Sequence, residues 1–191
     1  MRPAWHVPAA INYATLNDDK AALVALYDRA SAALNRRMPA VIEIDEALLN
    51  RAIAAHDEFW PELRELFAGL RDVRVRMHDG GEIEVAAVPT QLDLPVLAVL
   101  GARFSVDSRL RADLTHVGIG RLHIPGSLLW SRLRNALSLE RLNRVAVDER
   151  GLAIFNEWVW ENGRVLFRVS RIEVSAGKLS LELTPIPSSP S

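Results

Sequence analysis

The hydrophobic pattern of this chain changes near residue 73, and that change constrains the fold more than any other feature. Before it, apolar side chains recur at steps of three and four residues, as on one face of a helix. After it, Val73, Val75 and Met77 alternate with Arg74 and Arg76, as on a half-buried strand. A helical first third followed by strands predicts an α+β domain.

Two helices are predicted in the first third. Asn17, followed by two aspartates, is typical of a helix start, and Pro39 marks the end of the apolar stripe that follows. After a short extended run at residues 41–44, Asp45 is in position to cap a second helix. The stripe of this second helix is interrupted at Pro61, because a proline ring removes a backbone donor and clashes inside a helix.

Turn residues then divide the strands. The sequences at 79–81 (Asp-Gly-Gly) and 175–178 (Ser-Ala-Gly-Lys) predict hairpins, while Pro95 and Gly101 mark bulge or edge positions in a long strand region. A further helix is predicted to start near Ser127.

The strongest hairpin signal is the Asn-Gly pair at 162–163. If these two residues form the loop, Trp160 faces Val165 and Trp158 faces Phe167. One face of this hairpin is then apolar and aromatic.

These elements predict N-terminal helices followed by a strongly curved, mainly antiparallel sheet wrapped around the helix near Ser127. The predicted organisation is an N-terminal segment and helix (1–40), a single α+β domain (41–185) and a flexible tail (186–191). The Pro- and Ser-rich composition of the tail is typical of a loose chain end.

Composition excludes several classes of function. In 191 residues, 23 Lys plus Arg are balanced by 24 Asp plus Glu, so nothing in the charge favours nucleic acid as a partner. The chain contains no cysteine, which excludes thiol catalysis and cysteine-ligated zinc or iron–sulfur clusters. No apolar run approaches the roughly 18 residues of a membrane-spanning helix.

No motif predicts catalysis or a cofactor. Gly118 and Gly120 resemble the start of a dinucleotide fingerprint, but the third glycine is missing and a strand bend is favoured. None of the five histidines has a zinc-site spacing, so a metal centre would need residues from distant segments. The chain is therefore expected not to be an enzyme, unless a cleft collects His116, His123 and nearby carboxylates.

Bulky apolar residues on the strands and on one helix are the remaining signal. They either fill the core or line a pocket for an apolar ligand. The residues predicted for such a pocket are Leu97, Val99, Phe104, Leu129, Trp130, Leu133, Trp158, Trp160 and Phe167.

The order of segments resembles the YpmS-like bacterial membrane-anchored proteins and, more loosely, the YceB-like lipoproteins. The resemblance covers about residues 41–185. It rests on the opening Ile-Glu-Ile-Asp-Glu-Ala-Leu-Leu-Asn at 42–50, the strand run 73–88, the segment 117–125 before a helix, and the closing strands 145–183.

The resemblance implies a fold of the tubular lipid-binding (TULIP-like) group and non-catalytic binding of a lipid or other long apolar ligand at a membrane surface. It also implies an extracytoplasmic, membrane-associated location, although the given chain carries no anchor and a cytoplasmic location stays open. The family supplies no catalytic residues. The alternative function is a protein-interaction or scaffold module of a cell-envelope complex.

Overall fold

The computed structural model describes residues 6, 11, 13–61, 67–90, 96–120, 122–126, 145–147, 151–160 and 163–187. In these ranges the chain forms three helices and eleven strands. The helices are α1 (Leu16–Asn35), α2 (Glu46–Ala54) and α3 (His56–Phe59). The strands are β1 (Ala40–Asp45), β2 (Leu70–His78), β3 (Glu82–Pro89), β4 (Ala98–Val106), β5 (Arg109–Ile119), β6 (Leu122–Pro125), β7 (Val145–Val147), β8 (Gly151–Phe155), β9 (Trp158–Val159), β10 (Leu166–Ser175) and β11 (Lys178–Pro185).

The first two helices lie where the apolar stripes predict them. The predicted cap of α1 is wrong, because Thr15 precedes the helix and Asn17 lies in its first turn. Asp45 precedes α2 as predicted, but its side chain makes no capping hydrogen bond. No helix in the described ranges is long and apolar enough to cross a membrane.

The strands form two antiparallel sheets. The first has the order β1-β11-β10-β9, and the second has the order β2-β3-β4-β5-β8-β7 with β6 paired to β5. The long strand β5 pairs with β8 along its first half and with β6 along its second half. The predicted α+β class with mainly antiparallel strands is confirmed.

The predicted sheet geometry is not supported. The described strands divide between two sheets, and neither is curled or closed around a helix. The reason is a pairing between distant parts of the chain, because β1 lies against β11, with Ala40 opposite Leu183. Strands β9 to β11 therefore join β1 instead of extending the second sheet. The helix predicted near Ser127 falls outside the described residues.

The hairpin predictions are confirmed in the described residues. His78 lies opposite Glu82 across the first turn, and Ser175 lies opposite Lys178 across a two-residue turn in which Gly177 has a φ of +78°. Such a positive φ is strained for residues with a Cβ. Trp158 lies opposite Phe167, as the Asn-Gly pair predicts, although Asn162 itself is outside the described residues.

Among the described residues, the core consists of three clusters. In the first, α1 packs on the first sheet through buried Ala30 and Leu34. In the second, the second sheet meets α2 and β10 around Val75 and Met77. The third is a small cluster around Val88 on the second sheet. The two sheets therefore share a core through α2 and β10.

Buried polar side chains connect these layers. The amide of Asn50 on α2 accepts from the N–H of Val75 and donates to its carbonyl, both at 2.7 Å. Asp19 on α1 is buried, and its two carboxylate oxygens accept from Nε and Nη2 of Arg51 on α2, each at 2.9 Å. These hydrogen bonds raise the pKa of Arg51. They fix α1 beside α2 because a buried carboxylate left without a partner is costly.

Candidate functional site

An apolar groove of about 530 Å³ lies beside α1. We call it the α1 groove. Its walls come from α1, from the inward-facing side of β1, from α3 and from the segment after β9. The lining residues are Lys20, Leu23, Val24, Leu26, Tyr27, Ile42, Ile44, Glu58, Phe59, Trp60 and Trp160.

The apolar stripe of α1 has two different surroundings. Its C-terminal half, with Ala30 and Leu34, is buried in the first core cluster. The part of the helix before Ala30 lines the groove, where Val24 is 56% exposed and Tyr27 is 39% exposed. The stripe that predicts a core-facing helix thus continues past the core and leaves apolar surface in contact with water.

Trp160 forms one end of the groove. Its indole ring stacks on Tyr27 at a centroid distance of 5.3 Å and meets the edge of Phe167 at 5.5 Å. The indole N–H donates to the hydroxyl of Ser31 at 2.8 Å. Because the polar atom of the ring is satisfied and two aromatic neighbours hold it, the indole presents a fixed apolar surface to the groove.

A charged pair lies among the aromatic residues of α3. The ammonium group of Lys20 is 3.5 Å from Glu58 and 5.7 Å from the ring centre of Phe59. Both charged side chains are more than one-third exposed. The groove therefore combines an apolar interior with one cation that remains in contact with water.

The structure brings together only some of the predicted pocket residues. Trp160 lines the α1 groove, and the ring of Phe167 packs against its indole. Trp158 lies opposite Phe167 across the hairpin. Leu97 and Val99 belong instead to the small cluster on the second sheet. Phe104 is half-buried on β4. The remaining three predicted residues, Leu129, Trp130 and Leu133, lie outside the described residues.

A second group of polar side chains lies on one face of the second sheet. Glu82, Glu84 and His116 each place a metal-ligand atom within 4.8 Å of the other two. We call these three residues the acid–histidine cluster. His116 Nδ1 is 3.3 Å from Glu82 Oε1, and its Nε2 is 3.1 Å from Glu84 Oε1. All three side chains are largely shielded from water, with exposures between 13 and 22%.

A β-bulge positions His116. The register between β4 and β5 shifts at Gly101, which lies opposite His116, and leaves Thr115 as the extra residue. Because of the bulge, the side chains of Thr115 and His116, although adjacent in sequence, point toward the same carboxylate. Thr115 Oγ1 donates to Glu82 Oε1 at 3.0 Å, the same oxygen that His116 Nδ1 approaches.

Gly101 leaves the space that the imidazole occupies. A Cβ at this position would lie 2.3 Å from His116 Cε1 and 2.4 Å from its Nδ1, much closer than any real contact. The close approach of the ring to the backbone therefore requires glycine here.

Further side chains surround the cluster. His78 Nε2 lies 2.7 Å from the second oxygen of Glu84, and the ring of His123 stacks on that of His116 at 4.8 Å. The guanidinium of Arg103 is 3.8 Å from Glu82 Oε2. Five residues from β2, β3, β5 and β6 thus form a polar network of three imidazoles and two carboxylates.

Sequence reasoning identified part of this network. His116 and His123 are the histidines whose meeting with carboxylates would favour catalysis, and the structure brings them together. Glu82, Glu84 and His78 were not predicted from the sequence. Their spacing contains a weak signal, because residues 78, 82 and 84 fall on one face of the predicted hairpin.

Comparisons of the chain with protein-family models, curated proteins and solved structures found no match.

Proposed function

We propose that the protein binds a single-chain lipid or similar long apolar ligand in the α1 groove, without changing it chemically. The observation that carries this proposal is the exposed apolar surface of α1 between Val24 and Tyr27, facing aromatic side chains across the groove. A concave apolar site of about 530 Å³ also has the size of known small-molecule sites, roughly 300–1,000 Å³.

The charges indicate how such a ligand is oriented. Lys20 and Glu58 are the charged residues among the lining residues, and both are partly exposed. Burying a charged headgroup without partners is costly, so the polar end of the ligand stays beside this pair. The apolar chain then extends along α1 toward Trp160.

The resemblance to YpmS-like proteins points to the same class of ligand. It extends the proposal to a TULIP-like, extracytoplasmic protein that holds lipid at a bacterial membrane surface. Neither sheet of the described chain is curled or closed, which gives no support to the tubular part of this resemblance. The α1 groove, and not a tube, is therefore the proposed binding site.

Native mass spectrometry of gently purified protein, followed by analysis of organic extracts, tests for a bound ligand. We expect a mass increase that extraction assigns to a lipid. Titration with a fluorescent dansyl fatty acid then tests the site. Only unmodified mass together with no binding of the fatty acid would contradict the proposal, and co-purification of a stoichiometric protein without lipid would favour the interaction-module alternative.

Two matched variants locate the ligand. Val24→Asp places a charge in the groove, whereas Val41→Asp makes the same change on β1 at a residue that is 59% exposed and does not line the groove. Both positions are exposed, so both proteins are expected to fold. We expect Val24→Asp to weaken fatty-acid binding at least tenfold and Val41→Asp to leave it unchanged. Equal binding by the two variants would place the ligand elsewhere.

A further inference from the structure

We propose that the acid–histidine cluster is a binding site for one divalent transition-metal ion, with Zn²⁺ as the best match. Its ligands are one oxygen each from Glu82 and Glu84 and one ring nitrogen of His116. This site lies on the second sheet, apart from the α1 groove, and the inference is independent of the proposed lipid binding.

The donor atoms already lie near one another, at spacings somewhat wider than those around a bound ion. Zn²⁺ bonds to carboxylate oxygen and imidazole nitrogen at about 2.0–2.2 Å, so neighbouring ligand atoms of a tetrahedral ion are roughly 3.3 Å apart. The two short contacts use different ring nitrogens, since Nδ1 of His116 is 3.3 Å from Glu82 and Nε2 is 3.1 Å from Glu84, and one donor atom from each of the three residues lies within 4.8 Å of the other two. Closing the group around an ion would take rotation of a glutamate side chain, which brings the second carboxylate to the ring nitrogen that binds the ion.

The donor types select the metal. Carboxylates alone suit Mg²⁺ and Ca²⁺, whereas imidazole suits Zn²⁺ and its neighbours in the first transition row. Two glutamate carboxylates at one site also attract positive charge, and Arg103, 3.8 Å from Glu82, is 59% exposed. A divalent cation supplies that charge, and three protein ligands leave a further coordination position for water.

Supporting hydrogen bonds match those found around metal ligands. Residues that bind metals are commonly oriented by outer partners that hold a carboxylate or the second ring nitrogen. Here Thr115 donates to Glu82 at 3.0 Å, and His78 contacts the other oxygen of Glu84 at 2.7 Å. Gly101 and the bulge place the His116 ring between both carboxylates before any ion binds.

The same contacts are also compatible with a simpler state, in which a protonated His116 bridges two carboxylates without metal. The two readings differ in whether Zn²⁺ binds. The untagged full chain, stripped with EDTA and dialysed, is titrated with Zn²⁺ by calorimetry. Its metal content is then measured after gel filtration. We expect one ion per chain and a higher melting temperature with Zn²⁺, because an ion that binds the folded state stabilises it.

Variants assign the ligands. His116→Gln and Glu84→Gln are expected to weaken Zn²⁺ binding by at least ~10-fold, the lower end of the effect seen even for outer partners. His56→Gln is the matched control, because His56 is also half-buried but lies on α3, with its ring nitrogen 3.1 Å from the Ile53 carbonyl. Binding that is as tight in both cluster variants as in the control would overturn the proposal.

Co²⁺ provides a test that does not depend on the variants. With no cysteine in the chain, a visible absorption band that saturates at one Co²⁺ per chain and is lost on addition of Zn²⁺ would support a nitrogen and oxygen site. Absence of both this band and Zn²⁺ retention would overturn the proposal and leave His116 as a structural ion-pair partner.

Discussion

The α1 groove and the acid–histidine cluster differ in how the chain builds them. The groove takes most of its wall from continuous segments, above all from one helix whose apolar stripe extends beyond the core. The cluster takes its side chains from β3 and β5, which are brought into register across Gly101 on β4. The first site depends on local periodicity, whereas the second depends on strand pairing and on one bulge.

The two sites also differ in their coupling to stability. Trp160 at the end of the groove packs against the first core cluster, so this part of the site and the fold share the same contacts. The cluster lies on the second sheet, and its residues belong to none of the three core clusters of the described chain. We therefore expect that the cluster can be altered with the groove intact, but that the Trp160 end of the groove cannot be altered without a cost in stability.

The largest effect is expected for Trp160→Ala. Removal of the indole leaves a cavity beside Tyr27 and Phe167 and should lower the free energy of unfolding by about 3 kcal/mol, the lower end of values for buried aromatic residues because Trp160 is only half-buried. Urea unfolding followed by far-ultraviolet circular dichroism measures this change. Val159→Ala, at a neighbouring residue that is 55% exposed, is the control and should cost far less. Equal losses would contradict the role of Trp160 in the core.

Gly101→Ala tests the acid–histidine cluster. The added methyl group would collide with the His116 ring, and overpacking of this kind typically costs about 1–3 kcal/mol. Gly118→Ala is the control on the next strand, where the new Cβ would meet its nearest atom at 3.4 Å. Unfolding free energies of both variants are compared with and without His116→Ala. If the collision with His116 is the cause, the cost of Gly101→Ala shrinks in the double variant.

Local signals in the sequence predicted much of the fold. The stripes of α1 and α2 and the turns at 79–81 and 175–178 are read from neighbouring residues, and the structure confirms them. The division into two sheets was missed because it depends on Ala40 meeting Leu183, and no local pattern specifies such a distant pairing.

The two sites show the same contrast between local signals, which the sequence displays, and long-range pairing, which it does not. Trp160 is among the predicted pocket residues, but Phe59 and Trp60, which line the same groove just before Pro61, are not. Glu84 meets His116 only because a bulge shifts the register of β5. Gly101, predicted to be a bulge or edge position, lies at this register shift, but the alternation around Leu114 does not mark Thr115 on β5 as the extra residue.

Thr115→Val tests whether Thr115 orients Glu82 in the proposed metal site, and its expected effect on stability is smaller than that of Gly101→Ala. It removes one hydroxyl that donates to Glu82 while leaving all three proposed ligands, so we expect a loss of about 1 kcal/mol in unfolding free energy. Zn²⁺ affinity should fall by about 10-fold, because Glu82 loses an orienting partner. Thr184→Val, which removes an exposed hydroxyl bonded to Ser170, is the control for both measurements. Unchanged Zn²⁺ affinity would show that Thr115 does not orient Glu82.

The smallest effect on stability is expected for Lys20→Gln. This change breaks an exposed ion pair with Glu58, and such pairs contribute about 0.2–1 kcal/mol. The other lysine of the chain, Lys178, forms a similarly exposed pair with Glu43 outside the groove, so Lys178→Gln is a matched control. Binding of dodecanoate and dodecanol to both variants is compared at low and high salt.

Lys20 lies at the proposed polar end of the ligand, so Lys20→Gln should weaken dodecanoate binding about fivefold, equivalent to an ion pair of about 1 kcal/mol. It should leave dodecanol binding unchanged, and the difference should shrink at high salt because exposed charges are screened. Equal loss of both ligands would mean that Lys20 acts through packing on Phe59 instead of through its charge. No loss of either would place the polar end of the ligand away from Lys20, which would confine recognition in the α1 groove to its apolar wall.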